Sequence, residues 1–325
     1  MRILRNLQVP TGNIFIVEGN KGKLEMLSIG DYGQDINLNQ KKPVPDGLKI
    51  MPLTEKWVVT ISTQYGCSMK CNFCDVPIVG NGRNATFYDL TGMILIALTQ
   101  KGVPEYSKRL NIHFARMGEP TWNPAVLDCG KWIHEHLGDT YNPHPVVSTM
   151  MPRKNEWLKN FVHTWMRMKN RLYKGNAGFQ ISVNSTDETE RKIMFNDNAC
   201  TLEEIAEIMK GIIPVGRKIT LNFAVANYTV DCEKLARLFT PELYIVKLTP
   251  MHKTVAATIN GIKTNGNYTE YEPYQELEQR FKKAGYETLV FIASNDEDLG
   301  RITCGNAILS GSLPLCEYKE VEAIK

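Results

Sequence analysis

From residue 57 onward, short apolar runs alternate with stretches of helical length, and this alternation restricts the fold more than any other feature. The predicted strands are Trp57–Ser62, Leu110–Ala115, Pro145–Thr149, Gly178–Val183, Ile219–Val225, Leu243–Leu248 and Thr288–Ala293. The predicted helices lie near residues 86–101, 123–136, 154–173, 187–194, 202–212, 231–239 and 271–284. Such alternation predicts parallel βαβ units in an α/β fold. A complete or partial (βα) barrel is expected, and a doubly wound open sheet is the alternative.

The chain divides into three predicted parts. Residues 1–55 form a small N-terminal β-rich extension, in which two apolar runs flank the turn Gly19–Gly22 and predict a hairpin. Residues 56–310 form the (βα) barrel, and residues 311–325 form a C-terminal tail. In a parallel barrel, chemistry gathers in the loops that follow the strands.

Composition excludes several classes of protein. The 325 residues have a net charge of only +3, so no strong nucleic-acid or membrane field follows from the total charge. We find neither a secretory signal nor an apolar run of about 18 residues, so a cytoplasmic protein without a membrane span is expected. Eight cysteines are too few for a disulfide scaffold, and three of them cluster, which predicts a metal site.

The clustered cysteines are Cys67, Cys71 and Cys74, which follow the first barrel strand with the spacing C-x3-C-x2-C. Thiolates are soft ligands that suit iron–sulfur clusters or zinc. Three ligands on one short loop would hold three irons of a [4Fe–4S] cluster and leave the fourth iron open to the amino and carboxylate groups of S-adenosylmethionine (SAM). A structural zinc site is the alternative. It would need a fourth ligand, and no Cys or His lies nearby in the sequence.

The second predicted strand ends in the motif Met-Gly-Glu-Pro, which contains Gly118 and Glu119. Glycine at a strand end lets a ligand approach the backbone, and the Glu119 carboxylate would accept a hydrogen bond from the SAM ammonium. Ser148 and Ser182 end the next two strands. Their hydroxyls are candidates for binding the ribose or carboxylate of SAM, and helix capping is the alternative.

The cysteine spacing and the glycine–glutamate turn resemble those of the radical SAM superfamily. Within it, the order of motifs is similar to that of the RlmN/Cfr-type ribosomal RNA adenine methyltransferases. The similarity runs from about Val58 to Ala307. It includes five motifs: Gly80–Thr86, Gly118–Asn123, Val147–Thr149, Ile181–Ser182 and the acidic stretch that leads into Cys304-Gly305.

This resemblance implies a partial (βα) barrel of the radical SAM type, a [4Fe–4S] cluster and SAM as cofactors, and a flavodoxin-type electron donor. It also implies that Cys304 is catalytic. Cys304 would be methylated on sulfur, because a thiolate is a good nucleophile, and would then pass its methyl carbon to adenine. In position, His252 matches the family's adenosine-contacting asparagine.

Four departures separate the chain from this family pattern. Thr60 stands where the family has the cysteine that resolves the covalent adduct, so Cys129, Cys200, Cys232 or Cys316 would have to substitute, or the product must differ. A histidine replaces the family's asparagine at position 252, and Asn184 replaces a histidine. The N-terminal extension is not the helical RNA-binding domain that the family has.

Residues 153–174 combine seven basic residues with Trp157, Phe161, Trp165 and Tyr173. This combination suits phosphate binding and base stacking, although an amphipathic barrel helix would look the same. The expected function is methyl transfer to an RNA base. One alternative is hypermodification or rearrangement of a modified base in DNA or a nucleotide, and the other is a zinc-binding or nucleic-acid-binding module without catalysis.

Overall fold

The computed structural model describes residues 1–31, 50–263, 271–303 and 305–321. Its strands are β1 (Arg2–Val9), β2 (Gly12–Gly19), β3 (Gly22–Ile29), β4 (Trp57–Ile61), β5 (Gln64–Gly66), β6 (Asn81–Asn84), β7 (Leu110–Phe114), β8 (Pro143–Thr149), β9 (Gly178–Ser182), β10 (Ile219–Val225), β11 (Tyr244–Pro250), β12 (Glu287–Val290) and β13 (Lys319–Val321). Its helices are α1 (Phe87–Thr99), α2 (Ala125–Tyr141), α3 (Leu158–Arg171), α4 (Glu188–Met194), α5 (Leu202–Met209), α6 (Cys232–Leu238), α7 (Val255–Ile259), α8 (Glu272–Lys283) and α9 (Asn295–Leu299).

Seven parallel strands form the barrel portion of the main sheet, in the order β4-β7-β8-β9-β10-β11-β12. Each strand lies beside the next parallel strand of the chain, so right-handed connections put the helices on one face. A doubly wound sheet would reverse its strand order, and this one does not. The other edge of β4 pairs with β3 and is therefore not available to β12. The fold is the partial (βα) barrel that the sequence predicts.

Four antiparallel strands extend the same sheet beyond β4, in the order β3-β2-β1-β13. We call them the wing. The predicted hairpin is confirmed, because Gly19 pairs with Gly22 at the turn between β2 and β3. β13 pairs with β1, so part of the predicted C-terminal tail belongs to the sheet. The predicted boundaries at residues 55 and 310 stay predictions.

The face of the parallel sheet that points toward the helices is apolar. Val59, Phe179 and Leu221 on the strands are buried in one cluster with Ile133 and Trp165 of the helices. Alternate residues of the same strands point to the opposite face, which we call the inner face, because successive side chains in a strand point to opposite sides. Many such residues are polar, among them Asn111, His113, Gln180, Thr220 and Asn222.

The inner face of the wing is apolar instead. Buried Leu7, Ile14 and Leu27 form a second cluster with Ile302 and Ile308 from the C-terminal part of the chain. We call residues 299–318 the C-terminal segment. Hydrophobic burial therefore fixes this segment on the wing.

Two local predictions can be compared with the structure. Thr201 and Glu204 form the expected capping box at the start of α5. In the basic segment, three of the aromatic side chains are buried, and Trp157 alone is 46% exposed. The buried three are Phe161, Trp165 and Tyr173. For these the amphipathic-helix interpretation holds, and nucleic-acid contact by the exposed basic residues stays a prediction.

No helix in the described ranges is long and apolar enough to cross a bilayer.

Candidate active site

The cysteine loop is closed at its base by a small hairpin. β5 and β6 pair antiparallel, and the Cys67 N–H donates to the Gly80 carbonyl at 3.1 Å. A Cβ at Gly66 would lie 2.0 Å from the Gly80 oxygen, and one at Gly82 would lie 2.3 Å from the Ser68 nitrogen. Both glycines have φ near +80°. The close approach and the left-handed backbone both require glycine at these positions.

The three cysteines share one apolar pocket beyond this hairpin. Cys71 is buried, whereas Cys67 and Cys74 are partly exposed. Met69 and Phe195 pack with them, and Phe195 makes an edge contact with Phe73 at 6.1 Å between ring centroids. An apolar surround of this kind keeps water from a metal cluster.

Backbone donors converge on the sulfur of Cys67. Burial raises the pKa of its thiol to about 11, while hydrogen bonds from the backbone N–H groups of Met69, Gly118 and Lys70 act in the opposite direction. Hydrogen bonds from backbone N–H groups to cysteine sulfur are among the features that tune iron–sulfur clusters. The donor from Gly118 also joins the cysteine loop to the turn after β7.

The charge of each thiolate affects the others. Burial raises the pKa of Cys71 well above its ordinary value, and nearby Cys67, Cys74 and Glu119 raise it further. The three sulfur groups therefore lie close enough to interact, and a cation bound among them would relieve their repulsion. No group of three or more Cys, His, Asp or Glu side chains in the described ranges is assembled as a metal cage. By their chemistry, three thiolates on one loop nevertheless suit an iron–sulfur cluster.

Gly118 lies where a side chain would not fit. Its φ is +95°, and a Cβ there would lie 2.5 Å from the Cβ of Gln64. The side chain of Gln64 accepts hydrogen bonds from the Glu119 N–H at 3.0 Å and from the Ser68 hydroxyl at 3.1 Å. Gln64 therefore joins the turn to the cysteine loop. Sequence reasoning missed it, because a single glutamine before the cysteines has no distinctive spacing.

Glu119 is 2% exposed, and its carboxylate accepts hydrogen bonds from the turn after β7 and from the end of β8. Oε1 accepts from the Thr121 hydroxyl at 2.8 Å and from the Thr149 hydroxyl at 2.7 Å, and Oε2 accepts from the Met150 N–H at 2.8 Å. Burial raises the pKa of Glu119, and these donors oppose that shift. The structure thus fixes the carboxylate near the cysteines, and Oε2, with one donor in the described chain, can accept a further hydrogen bond.

The other predicted SAM contacts lie at the strand ends, but in different surroundings. Ser148 is partly exposed on the inner face opposite Gln180. Ser182 is buried beside Asn222, whose Oδ1 is buried without a partner in the described chain. Nδ1 of His252 lies 2.9 Å from Oδ1 of Asp298, in the acidic stretch before Cys304. Whether Ser148, Ser182 and His252 contact SAM stays a prediction.

Cys304 lies outside the described residues, but its neighbour Gly305 is described. The Gly305 carbonyl accepts the Asp75 N–H at 2.9 Å. A Cβ on Gly305 would lie 3.4 Å from the Phe73 oxygen and 4.0 Å from the Cys74 Cα. The backbone next to Cys304 therefore lies directly against the cysteine loop.

Asp75 is a second residue that sequence reasoning missed. Its carboxylate accepts from the backbone N–H groups of Val255 at 3.2 Å and Ala256 at 2.8 Å, at the start of α7. The hydroxyl of Thr254 donates to the Phe73 carbonyl at 2.7 Å. The loop after β11 is therefore joined to the cysteine loop. An aspartate directly after the third cysteine is the only sequence signal, and it is a weak one.

The inner face contains two uncharged histidines among cations. Burial lowers the pKa of His113 to about 3, helped by Lys247, Arg217 and other nearby cations, and burial lowers that of His144 to about 4. Thr60 also lies on this face, paired in register with His113. Position 60 is thus on the polar inner face, as an adduct-resolving residue would be, but it has no thiol.

The four thiols named as substitutes for a thiol at position 60 differ in exposure. Cys129 is 0% exposed in α2, and Cys200 and Cys232 are each 6% exposed. Burial raises the pKa of Cys200 to about 11. Cys316 is partly exposed and packs against the wing cluster. These surroundings resemble those of packed thiols more than those of reactive ones.

The chain is similar to known proteins in sequence and in fold. No family model matches the chain. It is 32% identical over 196 residues to a probable dual-specificity RNA methyltransferase RlmN from Koribacter versatilis, covering 59% of this chain and 53% of that protein. It is 24% identical over 271 residues to a dual-specificity RNA methyltransferase RlmN from Marinomonas, and the match covers 78% of this chain and 65% of that protein. Over these lengths the chain is similar to RlmN methyltransferases.

A solved structure shares the fold of this chain. The crystal structure of a radical SAM methyltransferase from Sphaerobacter thermophilus superposes with a TM-score of 0.61 at 19% identity, covering 90% of this chain and 76% of that one. At this identity the match shows the fold alone. The chain spans 53% to 65% of the length of the first curated relatives that it matches.

Proposed function

We propose that the chain is a radical SAM enzyme that modifies a nucleobase, most simply by RlmN-like methyl transfer to adenine in RNA through Cys304. One observation carries the proposal. The cysteine loop, the turn of Gly118 and Glu119, and the backbone beside Cys304 converge at the carboxyl ends of the strands, joined by the contacts of Gln64 and Asp75. The matched RlmN proteins are named as RNA methyltransferases.

In this proposal Cys67, Cys71 and Cys74 hold a [4Fe–4S] cluster, and Glu119 binds the ammonium of SAM. When bound, the cluster and SAM would supply a methyl group and a 5′-deoxyadenosyl radical. Gly118 lets the ligand approach the backbone, and Thr149 keeps the Glu119 carboxylate oriented.

Cys304 is the residue proposed to bring the methyl carbon to the base. A thiolate is the strongest nucleophile among ordinary side chains, and the described contacts of Gly305 put the adjoining backbone at the cysteine loop. His252 and Asp298, which lie 2.9 Å apart, would help to place the segment and the adenosine. A flavodoxin-type protein would donate electrons, and the enzyme would work in the cytoplasm.

A second function is favoured by one observation. Thr60 lies on the inner face where the family has its resolving cysteine, and the described cysteines outside the loop are mostly buried. Without a resolving thiol, the chain would modify a base in DNA or a nucleotide, by rearrangement or hypermodification, without methyl transfer. Cys304 would then donate a hydrogen atom or form an adduct.

The test is to reconstitute the cluster anaerobically, add SAM and dithionite, and analyse Cys304 by mass spectrometry. Trypsin releases residues 302–319 as one peptide, which also contains Cys316, so fragment ions must assign the modified cysteine. We expect one added methyl group on Cys304 and none in Cys304→Ala. An unmodified Cys304 together with 5′-deoxyadenosine would overturn methyl transfer and favour the second function. One zinc per chain and no iron would overturn both.

A further inference from the structure

We propose that Arg116 and Glu25 are positioning residues for the segment that contains Cys304, which goes beyond the proposed function but rests on it. Arg116 follows β7, and Glu25 lies in β3 of the wing. Nε of Arg116 donates to Oε1 of Glu25 at 2.8 Å, and Nη2 of Arg116 donates to the same oxygen. The two side chains are 2% and 0% exposed.

The pair contacts the C-terminal segment on both sides of Cys304. Nη2 of Arg116 donates to the Arg301 carbonyl at 2.9 Å. Oε2 of Glu25 accepts the Leu309 N–H at 3.1 Å. Residues 301 and 309 bracket Cys304, so one ion pair holds the backbone before it and the backbone after it.

The same arginine is fixed to the site at its other end. Its N–H donates to the Ile61 carbonyl at 3.1 Å, where β4 ends before the cysteine loop. Gly118 and Glu119 follow it by two and three residues in the chain. A shift of Arg116 would therefore move the Cys304 segment relative to the turn that is proposed to bind SAM.

The backbone of Arg301 supports a positioning role. Its φ is +58°, a backbone conformation that residues other than glycine rarely adopt. Its side chain donates to Asn306 Oδ1 at 3.3 Å, across the loop that contains Cys304. Strained backbone of this kind persists only where surrounding contacts hold it. Here the hydrogen bond from Arg116 to the Arg301 carbonyl is such a contact.

A guanidinium suits this role better than an ammonium. Its planar fork directs several N–H donors at fixed angles, whereas a lysine presents one mobile charge. In Arg116 the fork joins a carboxylate of the wing and a carbonyl of the C-terminal segment in one plane of donors. Arg116→Lys keeps the charge and removes the fork, so it separates geometry from ion pairing.

The experiment compares wild type, Arg116→Lys and Glu25→Gln. In the metal-free protein, the rate of alkylation of Cys304 by iodoacetamide is measured by mass spectrometry of peptide 302–319, with Cys316 in the same peptide as an internal reference. We expect the Cys304 rate to change about fivefold or more in both variants, because loss of a contact worth one or two kcal/mol shifts a local opening by at least that factor. The Cys316 rate should stay within twofold.

The second readout uses the reconstituted protein. The ratio of 5′-deoxyadenosine formed to Cys304 modified should rise in Arg116→Lys, because radical formation would continue while Cys304 is misplaced. Arg2→Lys, at an exposed ion pair of the wing with Glu18, is the matched control and should change neither readout.

An unchanged Cys304 alkylation rate in both variants would overturn the inference, whatever the enzyme does. If wild-type Cys304 is never modified during turnover, the proposed function fails, and the alkylation assay still decides whether the pair positions the segment. Melting curves monitored by circular dichroism show whether each variant folds. If Arg116→Lys does not fold, Glu25→Gln alone decides the result.

Discussion

The inner face of the sheet differs between the parallel strands and the wing. On the parallel strands it is polar, with Gln180, Thr220 and Asn222 among its side chains. On the wing it is apolar, and Ile14 packs there in one cluster with Ile302 of the C-terminal segment. One half of the face is therefore left for polar ligands, and the other half is a docking surface for the chain itself.

This difference assigns separate tasks to the two regions. Burial of apolar surface is strong and non-directional, so it anchors the C-terminal segment without setting its exact position. The ion pair of Glu25 and Arg116 supplies direction where the two regions meet. Polar residues on the parallel strands would give specificity to a bound ligand more than stability to the fold.

The largest effect is expected where a charge would be left alone at this junction. Arg116→Met leaves Glu25 buried without its partner and should lower the free energy of unfolding by about 3–5 kcal/mol. The double variant Glu25→Leu/Arg116→Met should recover much of this loss, because no buried charge remains. Urea unfolding followed by circular dichroism measures both. Equal losses in the single and double variants would show that packing, and not charge, dominates.

A slightly smaller effect is expected in the wing cluster. Ile14 is 0% exposed, and Ile14→Ala should cost about 2–4 kcal/mol through lost burial and a cavity. Thr220→Val, at a partly exposed inner-face position of β10, should stay within about 0.5 kcal/mol. The same urea titrations compare them. A cost for Thr220→Val that matched Ile14→Ala would remove the contrast between the two regions.

The pH dependence of stability should reveal the polar half of the face. An imidazole takes up a proton near pH 6.5 in the unfolded chain, whereas the pKa of folded His113 is lowered to about 3. Stability is therefore fully present above pH 6.5 and falls as pH drops toward 3, by about 1 kcal/mol at pH 5 after allowing for the partial exposure of His113. His113→Gln should reduce this loss between pH 7 and pH 5.

Urea titrations at both pH values measure that loss. His136→Gln, on the exposed surface of α2, controls for the removal of a histidine as such. A pH dependence that His113→Gln left unchanged would show that other groups are responsible.

The smallest effect on stability is expected at the two inner-face serines. Ser148→Ala and Ser182→Ala should change the free energy of unfolding by no more than about 0.5 kcal/mol. Each should weaken SAM binding about threefold to tenfold if its hydroxyl donates a hydrogen bond to the cofactor. Equilibrium dialysis with the reconstituted protein measures this, with Thr99→Ala on the surface of α1 as control. Unchanged affinity in both variants would remove these serines from the cofactor site.

Local sequence features predicted most of the fold. The seven parallel strands and the alternating helices follow from periodicity, and the hairpin turn at Gly19–Gly22 follows from glycine-rich turn chemistry. The alternation of polar residues on the inner face was missed, because the strands were identified by their apolar content. The inner face is apolar on the wing because the C-terminal segment covers it there. The sequence pattern does not show which segment covers which face.

The candidate site was predicted only in part, for a related physical reason. The cysteine loop and the turn at Gly118 are contiguous motifs with diagnostic spacing. The pair of Glu25 and Arg116 joins residues 91 positions apart, and the bond from Arg116 to Arg301 spans 185. Contacts at such separations depend on how the strands pair. A single sequence contains no local sign of them.

The hairpin of β5 and β6 has a consequence for the proposed uptake of iron. It joins the two ends of the loop over residues 67–80, so the loop is closed whenever the hairpin is folded. Closing a flexible loop costs entropy that grows with the logarithm of its length. Here the loop is already closed when the hairpin folds, so this entropy is lost during folding and not during metal binding. In the proposed cluster site, the three thiols would therefore act as one tethered chelator at high effective concentration. Iron bound by the first sulfur would meet the other two without a further search by the chain.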